Sequence, residues 1–280
     1  MSNVVKKKKS KVLVKTIVYI ILFIAVFFYI FPIYSAINTA LKTNKDLMYG
    51  PVEMTRNPTF ENFGKAFNII KRPMLNTIIF TCFATAISSF LGALAGYAFS
   101  KLYFRFSNIL LLLVVLGFYI APQSILIPLV RFMGATGLFD TYAGLILTHT
   151  AYGVPITTLL FKNYFDTLPI QVIESARIDG CSNIGAFFRI AVPLSLPGFA
   201  VVVIFQFTNI WNDYLYGLTL SNGIESMPLT VAIANLKGTT VAAWNVQMAG
   251  ILIAIFPILL IYIFFMELIV KGLLMGSVKG

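Results

Sequence analysis

Six apolar runs, each long enough to cross a lipid bilayer as a helix, govern what this chain can fold into. A spanning helix needs about 20 mostly apolar residues to cover the hydrocarbon core. Segments 16–37, 77–100, 109–130, 142–160, 194–218 and 248–266 meet that requirement. Lipid offers the backbone no hydrogen bonds, so each run must satisfy its own amides and carbonyls as a helix. The expected fold class is therefore an all-α membrane protein with six transmembrane helices. Pro122, Pro128, Pro155 and Pro257 fall inside these runs. They are tolerated where neighbouring helices take up the freed backbone groups. Of the six, the fifth carries an acidic residue, Asp213.

Composition excludes the soluble alternative. Hydrophobic residues make up 59% of the 280 and charged residues 11%, against about 25% charged in an ordinary soluble domain. The net charge of +11 is no nucleic-acid footprint, because much of it sits in one block, Lys6, Lys7, Lys8, Lys9, Lys11 and Lys15. A basic block directly before an apolar run is an orientation signal. With an even number of spans, both termini share a side. Placing them in the cytoplasm puts most of the 21 Lys and Arg on inner segments, as the positive-inside rule requires. The first run is longer than a signal-peptide core and no small-x-small cleavage site follows it, so it is expected to be retained. Residues 1–15 then form a basic cytoplasmic tail and 16–280 a single transmembrane domain. An outer loop is expected at about 219–247.

Other chemistry is sparse. Cys82 lies in an apolar run and Cys181 in an inner loop, which argues against a disulfide, and a lone His149 cannot build a metal site. Between Thr148 and Thr150, His149 reads as a packing residue ahead of the alternative, a proton relay. Along the second run Ala84, Ser88, Gly92, Gly96 and Ser100 recur every four residues. Such a smooth stripe suits the close approach of another helix, either within the chain or from a second membrane subunit.

The inner connection at 161–193 is too elaborate for a tether. From Glu174 it reads as a short helix, a break at Gly180, and a second short helix ended by Pro193. Glu174 is expected in the first turn, where an anion suits the helix dipole. Ser175 and Ala176 let a partner come close, and Phe187, Phe188 and Ile190 give the second piece an apolar side. Exposed apolar groups on an inner helix–turn–helix ask for something to sit in.

This stretch resembles the EAA loop of ABC importer permeases. Glu174, Ser175, Ala176, Asp179, Gly180, Phe187, Ile190, Pro193, Leu194 and Pro197 fall at that pattern's spacing. Ser175 stands where the pattern has Ala, and Cys181 where it has a small residue. The runs Ala95-Gly96-Tyr97-Ala98-Phe99, Ile125-Leu126-Ile127-Pro128-Leu129, Gly137-Leu138-Phe139-Asp140-Thr141-Tyr142, Trp211-Asn212-Asp213-Tyr214 and Met227-Pro228-Leu229-Thr230 are similar to MalG-type sugar permeases. So is the ending from Val270 to Gly280. Met266-Glu267 replaces the Gln-Arg pair often found near the end of the last helix.

The resemblance implies an ABC importer permease fold in a bacterial or archaeal cytoplasmic membrane, coupled through about 170–193 to a pair of ATP-binding cassette ATPases. It implies no cofactor on this chain and no enzymatic activity. The chain lacks a Gly-x-x-x-x-Gly-Lys-Ser/Thr phosphate loop, so ATP belongs to the partner. It also implies a second, MalF-like permease, an extracytoplasmic solute-binding protein, and coupling residues Glu174, Ser175, Ala176, Asp179, Gly180, Phe187, Ile190 and Pro193. Lys237, Gly238, Thr239 and Thr240 would form a tip that probes the binding protein, although an ordinary surface turn fits them equally. The tail Ser277–Gly280 resembles one that reaches between the ATPases.

The fifth run carries Gln206, Thr208, Asn209, Asn212 and Asp213, with Trp211 and Tyr214 nearby. That is too much polarity for a lipid face. Gln206, Asn209 and Asp213 are expected on one side. They suit a translocation pathway, with Asn212 and the two aromatic platforms beside them, or hydrogen bonds between helices. The central spans carry no Arg or Lys cluster, which disfavours a phosphate cargo. A sugar is the expected solute; a polyol, glycerol phosphate or peptide remains the alternative. An ion-coupled transporter would show matched halves, and none are visible.

Overall fold

The computed structural model describes the backbone of residues 2–50, 52–236 and 243–277, and side chains within 14–50, 52–236 and 243–268. Helix is the regular structure among those residues, and no strand occurs among them. In chain order the helices are α1 (Ser2–Ala40), α2 (Glu61–Lys101), α3 (Ser107–Phe118), α4 (Pro122–Ala135), α5 (Tyr142–Asp166), α6 (Ile170–Ile178) and α7 (Asn183–Ala186). A π-turn at Phe187–Ala191 then leads into α8 (Val192–Leu194), α9 (Leu196–Trp211), α10 (Leu215–Leu220), α11 (Leu229–Asn235) and α12 (Trp244–Ser277).

Among the described residues, four helices are long and apolar enough to cross a membrane: Val14–Ala40 of α1, α2, α5, and Trp244–Leu268 of α12. Two bent pairs pass the same test only when each is taken together, α3 with α4 at 91°, and Asn183–Leu194 with α9 at 82°, a geometry that fits a broken span or a re-entrant loop. The third run was expected to be one straight helix and is not. Proline disfavours the helical region for the residue before it, and Ala121, before Pro122, is extended (φ −62°, ψ 126°). The fifth run also ends early. α9 stops at Trp211, so Asp213 lies beyond its end. By contrast α2 begins sixteen residues before the expected 77, because the segment preceding the apolar run is already helical from Glu61.

The described chain divides into two compact units, Met1–Asn68 with Leu236–Ile253, and Ile69–Asn235 with Ala254–Gly280. In the first, three asparagines tie down the connection between α1 and α2. Asn38 Nδ2 donates to Glu53 O (2.8 Å) and its Oδ1 accepts from Thr55 N (3.0 Å). Asn62 Nδ2 donates to Ala40 O and Lys42 O, and Asn245 Nδ2 also donates to Lys42 O. Asp46 accepts from Thr55 Oγ1 and Asn57 N. Lys42 is fully buried and donates to Gly50 O at 2.5 Å. An irregular segment held this way leaves few amides and carbonyls to chance.

In the second unit the small-residue stripe of α2 lies against α5. A Cβ built on Gly96 would stand 2.7 Å from Lys162 N and 3.0 Å from Thr158 O. One on Gly92 would stand 2.9 Å from the carbonyl carbon of Thr157. Thr157 Oγ1 donates to Ser88 O (2.9 Å) across the same contact. At Gly92 and Gly96, then, the stripe serves packing inside the chain, the first of its two sequence-based readings.

A polar knot closes one end of this unit. Asp140, at φ 58°, accepts from Asn222 N (2.8 Å), Gly223 N (3.3 Å) and Ser226 Oγ. Asn76 Nδ2 donates to Ile224 O and Met227 O, its Oδ1 accepts from Tyr142 Oη, and Leu229 N donates to Thr77 Oγ1. Desolvation would raise the Asp140 carboxyl, but the Ser226, Asn222 and Gly223 donors outweigh it and hold the group below its ordinary range. The bonds favour the ionised form, so their stabilisation is present above the unfolded pKa, about 3.9. It is lost as pH falls through Asp140's own lower value. Asp140→Ala removes the acceptor for three donors and is expected to cost about 1–3 kcal/mol at neutral pH, read as a lower unfolding midpoint in detergent. Asp140→Asn keeps an oxygen acceptor, tolerates the left-handed backbone, and should recover much of that loss.

Candidate functional site

The segment Ile170–Leu194 is where sequence and geometry converge. Helix α6 ends in a Schellman cap. Gly180 N donates to Arg177 O (3.0 Å), and Cys181 N reaches back to Ala176 O (2.9 Å). That motif needs a left-handed residue just past the helix, and Gly180 supplies it at φ 86°. Ser182 then caps α7, its Oγ accepting from Gly185 N. The sharp turn thus comes from local chemistry: a glycine for the reversal and a serine two residues later to restart the helix.

The exposed face of this element carries Glu174, Ser175, Asp179 and Gly180. Three expectations need correction. Glu174 is the fifth residue of α6, not in its first turn, because the helix starts at Ile170 after Pro169. Pro193 does not end the second piece; the chain stays helical through the π-turn to Leu194 and bends at Ser195. Phe187 is 1% exposed and belongs to the core with Tyr97, Phe161 and Phe165. Ala176 is also buried, Ile190 is half-buried against that core, and Pro193 is exposed. The most exposed apolar groups of the segment are Ile178 (86% exposed), Ile184 (69%) and Phe188 (49%). Ile178 and Ile184 flank the Asp-Gly turn, and their polar neighbours were the signal that could have identified them.

Beneath the loop, the last turn of α2 meets the end of α5, the link to α6, α6 itself and the π-turn. Tyr97 packs on Phe165 (5.8 Å between centroids) and Phe187 (5.2 Å). Ser100 Oγ donates to Asp166 Oδ1 (2.6 Å), while Lys162 Nζ pairs with Asp166 Oδ2 (2.7 Å). Lys101 is 5% exposed and its Nζ donates to Leu168 O (2.7 Å). In the sequence Lys101 is one more basic residue on an inner segment, and nothing there signals this role.

The polar residues around the end of α9 do not share one environment. Gln206 is buried beside Gly153, whereas Asn209 is exposed. Trp211 is 2% exposed and stacks on Phe207 (5.5 Å, 18°). Asn212 and Tyr214 are exposed. Asp213 Oδ2 and Oδ1 accept from Gly217 N and Tyr216 N at the start of α10. Its Oδ2 stands 3.8 Å from His149 Nε2, too far for a hydrogen bond. His149 stacks flat on Phe80 (5.7 Å, 8°) and edge-on to Tyr216. Lys237, Gly238, Thr239, Thr240 and the last three residues lie outside the described residues.

An apolar helical bundle with one exposed, capped helix–turn–helix is the frame of a transport-system membrane subunit. Residues 88–274 match the family described as binding-protein-dependent transport system inner membrane component, and the chain belongs to that family. It is 47% identical to a probable ABC transporter permease protein of Pyrococcus horikoshii, over 90% of this chain and 92% of the relative. It is 30% identical to the sulfoquinovosyl glycerol transport system permease protein of Agrobacterium fabrum, over 90% and 89%. A bacterial ABC transporter that imports alginate shares the fold, with a TM-score of 0.79 at 20% identity, over 92% of this chain and 97% of that one.

Proposed function

We propose that the chain passes a carbohydrate across the cytoplasmic membrane as one permease subunit of an ABC importer, both termini inside and each bent helix pair counting as one of six spans. The observation that carries the coupling role is the exposed helix–turn–helix at Ile170–Leu194. Its Glu174 and Asp179 face outward, and two large apolar side chains, Ile178 and Ile184, flank the turn. Exposed isoleucines beside carboxylates suit a protein cleft with a basic rim.

On this reading Glu174, Ser175, Asp179 and Gly180 form the surface held by the ATPase, while Ala176, Phe187, Ile190 and Pro193 keep it in shape. ATP on the partner closes the ATPase pair, and the bundle switches between two states biased by that closure. Asn209, Asn212 and Tyr214 are exposed and suit hydrogen bonding and stacking to a sugar. Gln206, Asp213 and Trp211 support them from behind. The second permease and the extracytoplasmic binding protein complete the importer, with residues 237–240 offered to the latter. The carbohydrate reading rests on the sugar-permease resemblance and on the glycoside named for the Agrobacterium relative.

The test is reconstitution with the candidate ATPase, second permease and binding protein in proteoliposomes, measuring ATP-dependent uptake of labelled oligosaccharides and of polyols. Saturable uptake of an oligosaccharide, blocked by Glu174→Arg together with loss of the ATPase from a pull-down, is the expected result. Uptake of a polyol alone would replace the carbohydrate reading. Full ATPase recovery with Glu174→Arg would remove the loop as the dock.

A further inference from the structure

We infer that the stroke of the coupling loop is delivered to α2, through a clamp made by Lys101 and Arg177, and not along the chain into α9. This rests on the function proposed above and adds which helix receives the movement and which side chains transmit it.

Two routes lead from the loop into the bundle. The covalent one passes through the π-turn at Phe187–Ala191 and the 82° bend at Ser195 before reaching α9. A π-turn followed by a sharp bend is a yielding connection. The other route is non-covalent and dense. Lys101 Nζ reaches the carbonyl of Leu168, in the link between α5 and α6. The Arg177 guanidinium, on α6, approaches the carbonyl of Lys101 itself (3.5 Å) and lies beside the Tyr97 hydroxyl. Tyr97 meanwhile carries Phe187 of the second piece.

The buried Lys101 ammonium has a carbonyl for its hydrogen-bond partner and no carboxylate within ion-pair distance among the described residues. Leaving such a group buried is costly unless its bonds hold, so the Leu168 contact resists separation. Its position on the last residue of α2 makes the helix end and the loop move as one body. Gly96, one turn earlier, presses α2 against the backbone of α5, so the movement also engages the packed bundle.

Lys101 and Arg177 are positioning residues and touch no solute. The test uses the full reconstituted importer. Lys101→Met and Arg177→Met should retain the ATPase in a pull-down. Stimulation of ATP hydrolysis by loaded binding protein should fall at least about fivefold, within the range that coupling residues command. Lys101→Arg should restore it, which a purely steric role would not predict. A second measurement leaves the clamp intact. Spin labels on Tyr103→Cys and Val172→Cys, with Cys82 and Cys181 replaced by alanine, should change separation by less than about 2 Å between nucleotide-free and ATP-bound states. Labels on Val172→Cys and Phe205→Cys should change by more. If Lys101→Met loses the ATPase through misfolding, the labels decide. Normal stimulation in Lys101→Met, or a Tyr103–Val172 separation that shifts more than Val172–Phe205, overturns the clamp. A wild-type complex without any stimulation removes the functional reading and the clamp together, whereas a responsive wild type with a responsive Lys101→Met removes the clamp alone.

Discussion

Gly180→Pro is expected to release the ATPase from the importer while the chain stays inserted in the membrane. The residue sits at φ 86°, and a proline ring fixes φ near −65°, so the turn cannot form as it stands. Proline also lacks the amide that donates to Arg177 O, and with the turn lost the Cys181 amide would leave Ala176 O. Both bonds of the Schellman cap go together. Gly180→Ala separates backbone from bulk, because no atom lies within 4 Å of a Cβ built there. It pays only the left-handed conformational cost, about 1–2 kcal/mol, and should weaken docking by about tenfold with the assembled importer still active. A pull-down against the ATPase, with membrane insertion checked by protease accessibility, ranks the three proteins: wild type, then alanine, then proline with little or no ATPase. Proline retaining the ATPase as well as wild type would mean that Glu174 and Asp179 do not need the turn.

The sequence showed this loop because its determinants are local. A helix cap depends on residues a few positions apart, and so do Asp179-Gly180 and the Ser182 start of α7. The apolar runs were legible for a similar reason, since crossing a bilayer is a matter of length and composition. What escaped notice depended on the third dimension. Phe187 and Phe188 are equivalent on paper, yet one is core and the other is half exposed, which is decided by the register of the π-turn and by Tyr97 beneath it. Lys101 looks like any basic residue after an apolar run until the Leu168 carbonyl is seen beside it. Pro122 gave warning of a break in the third run, but the 91° bend depends on how α3 and α4 settle against their neighbours. Gln206 and Asn209 lie one turn apart on α9 and still face different surroundings, because a helical wheel does not say which side the bundle occupies.

Replacing Gly96 on α2 is expected to destabilise the chain, and a matched control makes the effect readable. At Gly96 the nearest atoms to a new Cβ are Lys162 N at 2.7 Å, Phe161 Cβ at 2.9 Å and Thr158 O at 3.0 Å, two of them backbone and the third fixed to it. Backbone atoms cannot rotate aside as a side-chain tip can, so Gly96→Ala must push α2 away from α5. Overpacking of this kind costs about 1–3 kcal/mol, and Gly96→Val should exceed it. Gly64 lies in the same helix with no atom within 4 Å of a built Cβ. Gly64→Ala should instead stabilise by up to about 1 kcal/mol, through helix propensity alone. Unfolding midpoints measured in one detergent would show the two substitutions moving in opposite directions. Gly96→Ala should also slip the Thr157–Ser88 bond, and the pairing of α2 with α5 that supports Lys101 would loosen with it. A destabilised Gly96→Ala importer should therefore lose stimulation by the binding protein before it loses the ATPase itself. If its midpoint instead matched Gly64→Ala, α2 and α5 would have to be farther apart at this height, and the stripe would be free for a second membrane subunit.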